Sequence, residues 1–183
     1  MLYVAQDPSE RLDVFAMAAR LARRVTAALG HSDGIFHMEA FWDGSDFTFS
    51  ECAGRVCGGK ADVTAAAKFG LDIHDEWARG VLGLDSVGAG EVSDAQFAHG
   101  WLPLPPGRLR SSPSAAEIAA RPGVLEADVR VVAGGTIVDP RTSSDAGLGT
   151  VVVTGTTTAE AEQVFADVVS WVQASSQVDR TAD

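Results

Sequence analysis

Long apolar runs are missing from this 183-residue sequence. No stretch approaches the roughly 20 apolar residues that a membrane-spanning helix needs. Positive charge is scarce: 14 Lys and Arg stand against 25 Asp and Glu, a net charge of −11. That balance argues against nucleic acid or an anionic membrane surface as the main partner. Cysteine is limited to Cys52 and Cys57, whose spacing is not that of a zinc pair. Nothing in it demands an oxidising compartment. The amino terminus lacks the basic start and apolar run of a signal peptide, so a cytoplasmic location is expected. There is no Gly-x-x-x-x-Gly-Lys-Ser/Thr phosphate loop, no internal repeat and no coiled coil. What remains is a chain long enough for a real core, one domain or one and a half. Its acidic surplus is compatible with an ion-dependent site.

The most informative stretch is residues 34–59. Two aromatic-rich runs, Gly34 to Trp42 and Asp46 to Glu51, flank Asp43-Gly44-Ser45, the signature of a β-hairpin. Each run carries one glutamate, Glu39 or Glu51, in apolar company. A strand carboxylate among Phe, Met and Trp loses water unless something compensates it. Two such groups on one face could share a hard divalent cation, which prefers carboxylate oxygens. Strand side chains alternate faces. A two-residue turn at Asp43-Gly44 would therefore put the glutamates on opposite faces. A shared cation requires an odd-length or bulged turn, and a five-residue loop would set the two carboxylates directly opposite. The plainer alternative is that Glu51 ends its strand in water and Glu39 pairs with a lysine or arginine. His37 shares a face with Glu39 by alternation. It could steady that carboxylate by donating to it, or be a buried histidine satisfied by a backbone group.

Residues 34–72 also resemble the metal-binding hairpin of the ATP-grasp ligases, in the branch of biotin carboxylase and the carboxylate–amine and L-amino-acid ligases. The resemblance is carried by Gly34, His37 and Glu39, then Glu51, Ala53 and Arg55, then Gly58-Gly59, then Gly70-Leu71-Asp72. It implies that Glu39 and Glu51 hold Mg²⁺ and that Arg55 contacts the transferring phosphate or acyl phosphate. Gly58 and Gly59 would lie against that phosphate. It further implies an ADP-forming ligation of small carboxylate and amine substrates. By residue type alone Arg55 could instead pair with Glu39 or Glu51. Ala53 stands where carboxylase-like members place asparagine, and alanine cannot coordinate through its side chain. The lysines and glycine-rich lid that hold ATP in this family are not recognisable here. The resemblance thus implies the C-terminal half of such an enzyme, with ATP bound only alongside an N-terminal half or a partner chain. A non-catalytic binding or scaffold protein on the same fold is the alternative, and an unrelated α+β domain is a third reading. A homo-oligomer is possible under any of them.

The expected fold is α+β: an antiparallel sheet with covering helices, followed by a small C-terminal antiparallel β/α unit. Residues 1–93 would form the metal- and phosphate-binding portion, 94–176 the C-terminal subdomain and 177–183 a disordered tail. Residues 1–7 read as the end of a strand. Asp7-Pro8-Ser9 is a good helix start. Val14, Met17, Leu21, Val25 and Ala28 give that helix one apolar face. Arg20, Arg23 and Arg24 form a solvated basic edge, with phosphate binding as the less favoured reading. Gly30 stops the helix. A short helix from Thr64 to Phe69 ends at Gly70, and Asp72 caps another that turns Ile73, Trp77 and Val81 inward. Gln96–Leu104 reads as a strand and 111–114 as a flexible link. Ser114 to Glu117 is a capping box. Val124–Ala133 reads as a strand, with Gly134-Gly135 turning into Thr136-Ile137-Val138. Leu148–Thr154 is the last strand expected, and Thr158 caps the last helix.

Overall fold

The computed structural model describes residues 2–5, 11–31, 34–143 and 146–179. Its centre is a strand that the sequence marks clearly. Gly-Thr-Val-Val-Val-Thr-Gly forms β8 (Gly149–Gly155), buried along its first five residues. A run this apolar is what a strand covered on both faces requires. β8 pairs on one side with β4 (Gln96–Trp101) and on the other with β6 (Val124–Val129), and β4 pairs in turn with β1 (Leu2–Val4). The sheet order is β1-β4-β8-β6. A second sheet has the order β7-β5-β9, from Thr136–Ile137, Gly107–Ser111 and Gln177–Asp179. A third is the hairpin of β2 (His37–Trp42) and β3 (Phe47–Ala53). Every strand pair is antiparallel, as expected for the fold class.

Two helices seal this core. α5 (Thr158–Ser175) lays Ala161, Val168 and Val172 on the sheet, and α4 (Ala115–Ala119) buries Ile118 completely. Leu102, Leu109, Ile137, Leu148, Val151 and Val153 complete the cluster. Burying each such side chain contributes about 1.5–3 kcal/mol. The remaining helices are α1 (Leu12–Ala28), α2 (Ala61–Phe69) and α3 (Ile73–Leu82). α2 is tied to the body by Lys68, fully buried, which donates to the carbonyls of Ser93 (2.7 Å) and Ala95 (3.3 Å).

The local stop and cap signals hold. Gly70 and Gly83 end their helices at positive φ. Ser114 and Glu117 form the reciprocal capping box. Asp72 accepts from the backbone N–H groups of His74 and Asp75, both at 3.0 Å. Asp72→Ala removes that cap and is expected to cost about 1 kcal/mol, read as a lower urea midpoint with an unchanged m-value.

Several expectations need correction. α1 buries none of its residues: Val14, Met17, Leu21 and Val25 are half-covered and Ala28 is exposed. It covers one face of a two-stranded hairpin, too little surface to enclose a helix. In α3 only Ile73 is buried, whereas Trp77 and Val81 are exposed. Thr157, not Thr158, caps α5. β7 does not form a hairpin with β6; it pairs with β5, a strand the sequence reading passed over. The expected tail is ordered at its start, because Gln177–Asp179 pair with β5. The helix start at Asp7-Pro8-Ser9 lies outside the described residues. β1 joins the sheet of the C-terminal portion across the expected boundary at residues 93 and 94. No helix among the described residues is long and apolar enough to cross a membrane.

Candidate metal centre

The hairpin turn is closed by its own side chains. Asp43 Oδ1 accepts from the N–H of Ser45 (2.8 Å), the hydroxyl of Ser45 (2.9 Å) and the N–H of Asp46 (2.8 Å). Those bonds, the Asp46 amide first, hold the Asp43 carboxyl below its ordinary value. Gly44 takes the positive φ of 102°. Trp42 and Phe47 pack across the first rung, ring centroids 4.7 Å apart. The loop therefore has an even length, residues 43–46 between paired Trp42 and Phe47. In that register Glu39 would face Ser50, and Glu51 would point to the other face.

A β-bulge changes the outcome. Ala40 pairs with Phe49, yet Glu39 pairs with Glu51, so Ser50 is the extra residue. The bulge lies within the strand, beyond the turn, and achieves what a five-residue loop would have done. Glu39 and Glu51 are now direct cross-strand partners on one face, an arrangement that repels unless a cation lies between them. His37 joins them. Ligand atoms of His37, Glu39 and Glu51 all lie within 4.8 Å of one another. His37 Nε2 is 3.7 Å from Glu39 Oε1, too far for a hydrogen bond. Its Nδ1 is buried with no partner among the described residues. An imidazole nitrogen and two carboxyl oxygens are ligands that a divalent ion accepts, so the residues present fit one. Ala53 sits opposite His37 and adds nothing to the set.

Arg55 follows β3 by two residues, in a tight turn where its N–H donates to the Ala53 carbonyl at 2.9 Å. Its guanidinium is exposed and donates to the Val56 carbonyl at 3.1 Å. Among the described residues it forms no ion pair, so the suggested pairing with Glu39 or Glu51 is not what the structure has. Gly58 and Gly59 come next, Gly59 at a φ of 74°. Arg20 and Arg24 of α1 line a separate cleft against Asp46 and Phe47 at the hairpin turn.

Gly59 leads to a residue that sequence reading missed. A Cβ at Gly59 would lie 3.4 Å from His99 Nε2. His99 stands on β4, stacked on Tyr3 with ring centroids 5.0 Å apart, and its Nδ1 is 2.9 Å from Thr64 Oγ1. Beside it, the Lys60 ammonium meets Glu126 at 2.6 Å. The only sequence-level signal was a lone histidine in an apolar strand, which is usually structural. Burial disfavours the imidazolium and holds His99 below its ordinary 6.5, with Asp62 pulling weakly the other way. Below pH 6.5 the unfolded chain thus binds a proton that the folded chain resists. The stability His99 contributes is complete above that pH and is lost as pH falls toward the depressed folded value. Glu117 and Glu160, held low by Ser114 and Thr156, lose theirs only below their ordinary 4.5. A thermal midpoint that declines as pH falls below 6.5, and no longer does so in His99→Phe, is the expected result.

This is the fold of the C-terminal half of the ATP-grasp ligases. Within it, residues 100–175 match the family described as L-amino acid ligase C-terminal domain 2. The L-amino acid ligase from Bacillus licheniformis superposes with a TM-score of 0.77 at 16% identity, covering 99% of this chain and 44% of that one. Phosphoribosylglycinamide synthetase from Anaerococcus prevotii gives 0.74 at 11% identity, covering 98% and 45%. N5-carboxyaminoimidazole ribonucleotide synthetase from Thermus thermophilus gives 0.64 at 19% identity, covering 98% and 44%. The chain spans less than half the length of these structures. Comparison with curated protein sequences gives no match.

Proposed function

We propose that this chain is the metal- and phosphate-binding half of an ADP-forming ATP-grasp ligase that joins a carboxylate to an amine through an acyl phosphate. The observation that carries the reading is the bulge that sets Glu39 and Glu51 opposite each other with His37 alongside. Glu39 and Glu51 would hold Mg²⁺, which when bound neutralises phosphate oxygens and polarises the phosphoryl group. His37, too far from Glu39 to donate to it, would offer its imidazole to the same ion. Arg55, whose exposed guanidinium meets the Val56 carbonyl, would turn its planar fork to a phosphate. Gly58 and Gly59 let the backbone approach that phosphate without a side chain between.

The nucleotide lid would come from an N-terminal half or a partner chain. Residues 11–60 support this, because none of those described is buried. Leu12, Phe41 and Phe49 there, and Trp77 and Val81 on α3, leave apolar surface in water. In this division residues 1–93 present the reacting face and 94–176 form the packed body. The experiment is to supply an ATP-grasp front half, fused or in trans, and measure magnesium-dependent ADP release with amino-acid substrates. Release that is abolished by Glu51→Ala supports the assignment; release that survives it is incompatible with the assignment. The alternative, a non-catalytic scaffold, draws on Arg55, whose guanidinium faces a backbone carbonyl and not the carboxylates. It expects neither Mg²⁺ nor nucleotide binding by the chain.

A further inference from the structure

We propose that His99 Nε2, where it meets Gly59, is the acceptor of a subsite for the ammonium group of a small primary amine. This rests on reading Gly58-Gly59 as the loop where the activated carboxylate lies, and it places the second substrate on the other side of that loop.

Hydrogen-bond accounting at His99 gives the first support. Thr64 has one hydroxyl proton, and its Oγ1 donates to the Lys60 carbonyl at 2.7 Å. At 2.9 Å from His99 Nδ1 the same oxygen is then the acceptor, so Nδ1 carries the ring proton. The two lengths are those usual for O–H···O and N–H···O bonds. Nε2 is left as a bare lone pair with no described residue donating to it. Among the described residues the buried polar atoms without partners are His37 Nδ1, Gln96 Oε1 and Arg121 Nε; Nε2 is not one of them, and it faces the side-chain position that glycine leaves empty at residue 59. A side chain at Gly59 would cover it.

The surrounding charge selects the ligand. Lys60 and Glu126 are paired at 2.6 Å and offset each other, which leaves Asp62 as the charge that acts on His99. A neutral acceptor beside a carboxylate favours an N–H donor that carries positive charge over a carboxylate or phosphate. Burial keeps the imidazole neutral near pH 7, which preserves the lone pair. The Tyr3 stack fixes the ring plane.

The test uses the full chain, labelled with ¹⁵N, and long-range ring spectra of His99. L-alaninamide is the probe, and N-acetyl-L-alaninamide is the control of similar shape without the cation. The expected results are a ring protonated on Nδ1 and a shift of the Nε2 resonance with alaninamide but not with the acetylated control. Binding read at the Gly59 amide should weaken about tenfold in His99→Phe, which keeps the stack and removes the acceptor. Gly59→Ala should block the response with His99 intact, so the test does not depend on His99→Phe folding. A ring protonated on Nε2, an equal response to both compounds, or no response to the amine would each overturn the subsite. Glu51→Gln separates the two readings. It should weaken metal binding and leave the amine response unchanged, whereas an unaltered chain that shows the amine response and binds no Mg²⁺ would sink the ligase assignment alone.

Discussion

Gly149→Ala is expected to unfold at a much lower denaturant concentration than the unaltered chain, with a loss of about 3 kcal/mol or more. Gly149 opens the central strand β8 opposite Val129 of β6. A Cβ there would stand 1.8 Å from the Asp128 carbonyl oxygen, 2.8 Å from its carbon and 3.0 Å from Val129 Cα. All three are backbone atoms of the neighbouring strand, so no flexible side chain can yield. β6 and β8 would have to part beside the point where the Arg130 and Val131 N–H groups bond to the Leu148 carbonyl (2.9 and 3.2 Å). Leu148 is fully covered there, as is Leu102 on the other side of β8. For a chain of this size the loss corresponds to a thermal midpoint lower by roughly 6–12 °C. Gly54→Ala is the control. A Cβ at Gly54 meets nothing within 4 Å, and its effect on stability should stay within about 0.5 kcal/mol.

Glu51→Gln should weaken divalent-ion binding on the order of a hundredfold, since it removes one of two charged oxygen donors and keeps the shape. Its effect on stability has opposite signs with and without the ion. In metal-free buffer the variant relieves repulsion between carboxylates held directly opposite, and it should be more stable by a few tenths of a kcal/mol. With the ion at about 100 times its dissociation constant the unaltered chain gains about 2.7 kcal/mol, whereas a variant binding a hundredfold more weakly gains about 0.4 kcal/mol. Two melting curves for each protein, with Mg²⁺ and with chelator, read both signs. A variant destabilised in chelator would mean that Glu51 serves the hairpin and not an ion.

Much of this was legible where the signal is local. The Asp43-Gly44 turn, the caps at Asp72 and Ser114 and the stops at Gly30 and Gly70 each act through bonds to residues a few positions away. The two glutamates could be named because strand carboxylates in apolar company need an explanation. The bulge at Ser50 could not be located, because register is decided across the ladder and not within one strand. β5 was passed over since Gly-Arg-Leu-Arg-Ser offers one large apolar residue; Leu109 alone anchors it, fully buried. Its partners in sequence lie far off, β7 on one side and β9 on the other. Trp77 and Val81 were expected inside because helical spacing assumes a partner on that face, and no described residue covers them there. His99 was missed because Thr64, Gly59 and Tyr3 reach it only through the tertiary fold.

Titrating substoichiometric Mn²⁺ into the ¹⁵N-labelled chain, and mapping which amides broaden, examines the paired carboxylates most directly. Broadening centred on His37, Glu39 and Glu51, reversed by Mg²⁺ and absent in Glu39→Gln/Glu51→Gln, is the predicted result. Broadening spread over unrelated acidic surface, or unchanged in the double variant, would contradict it.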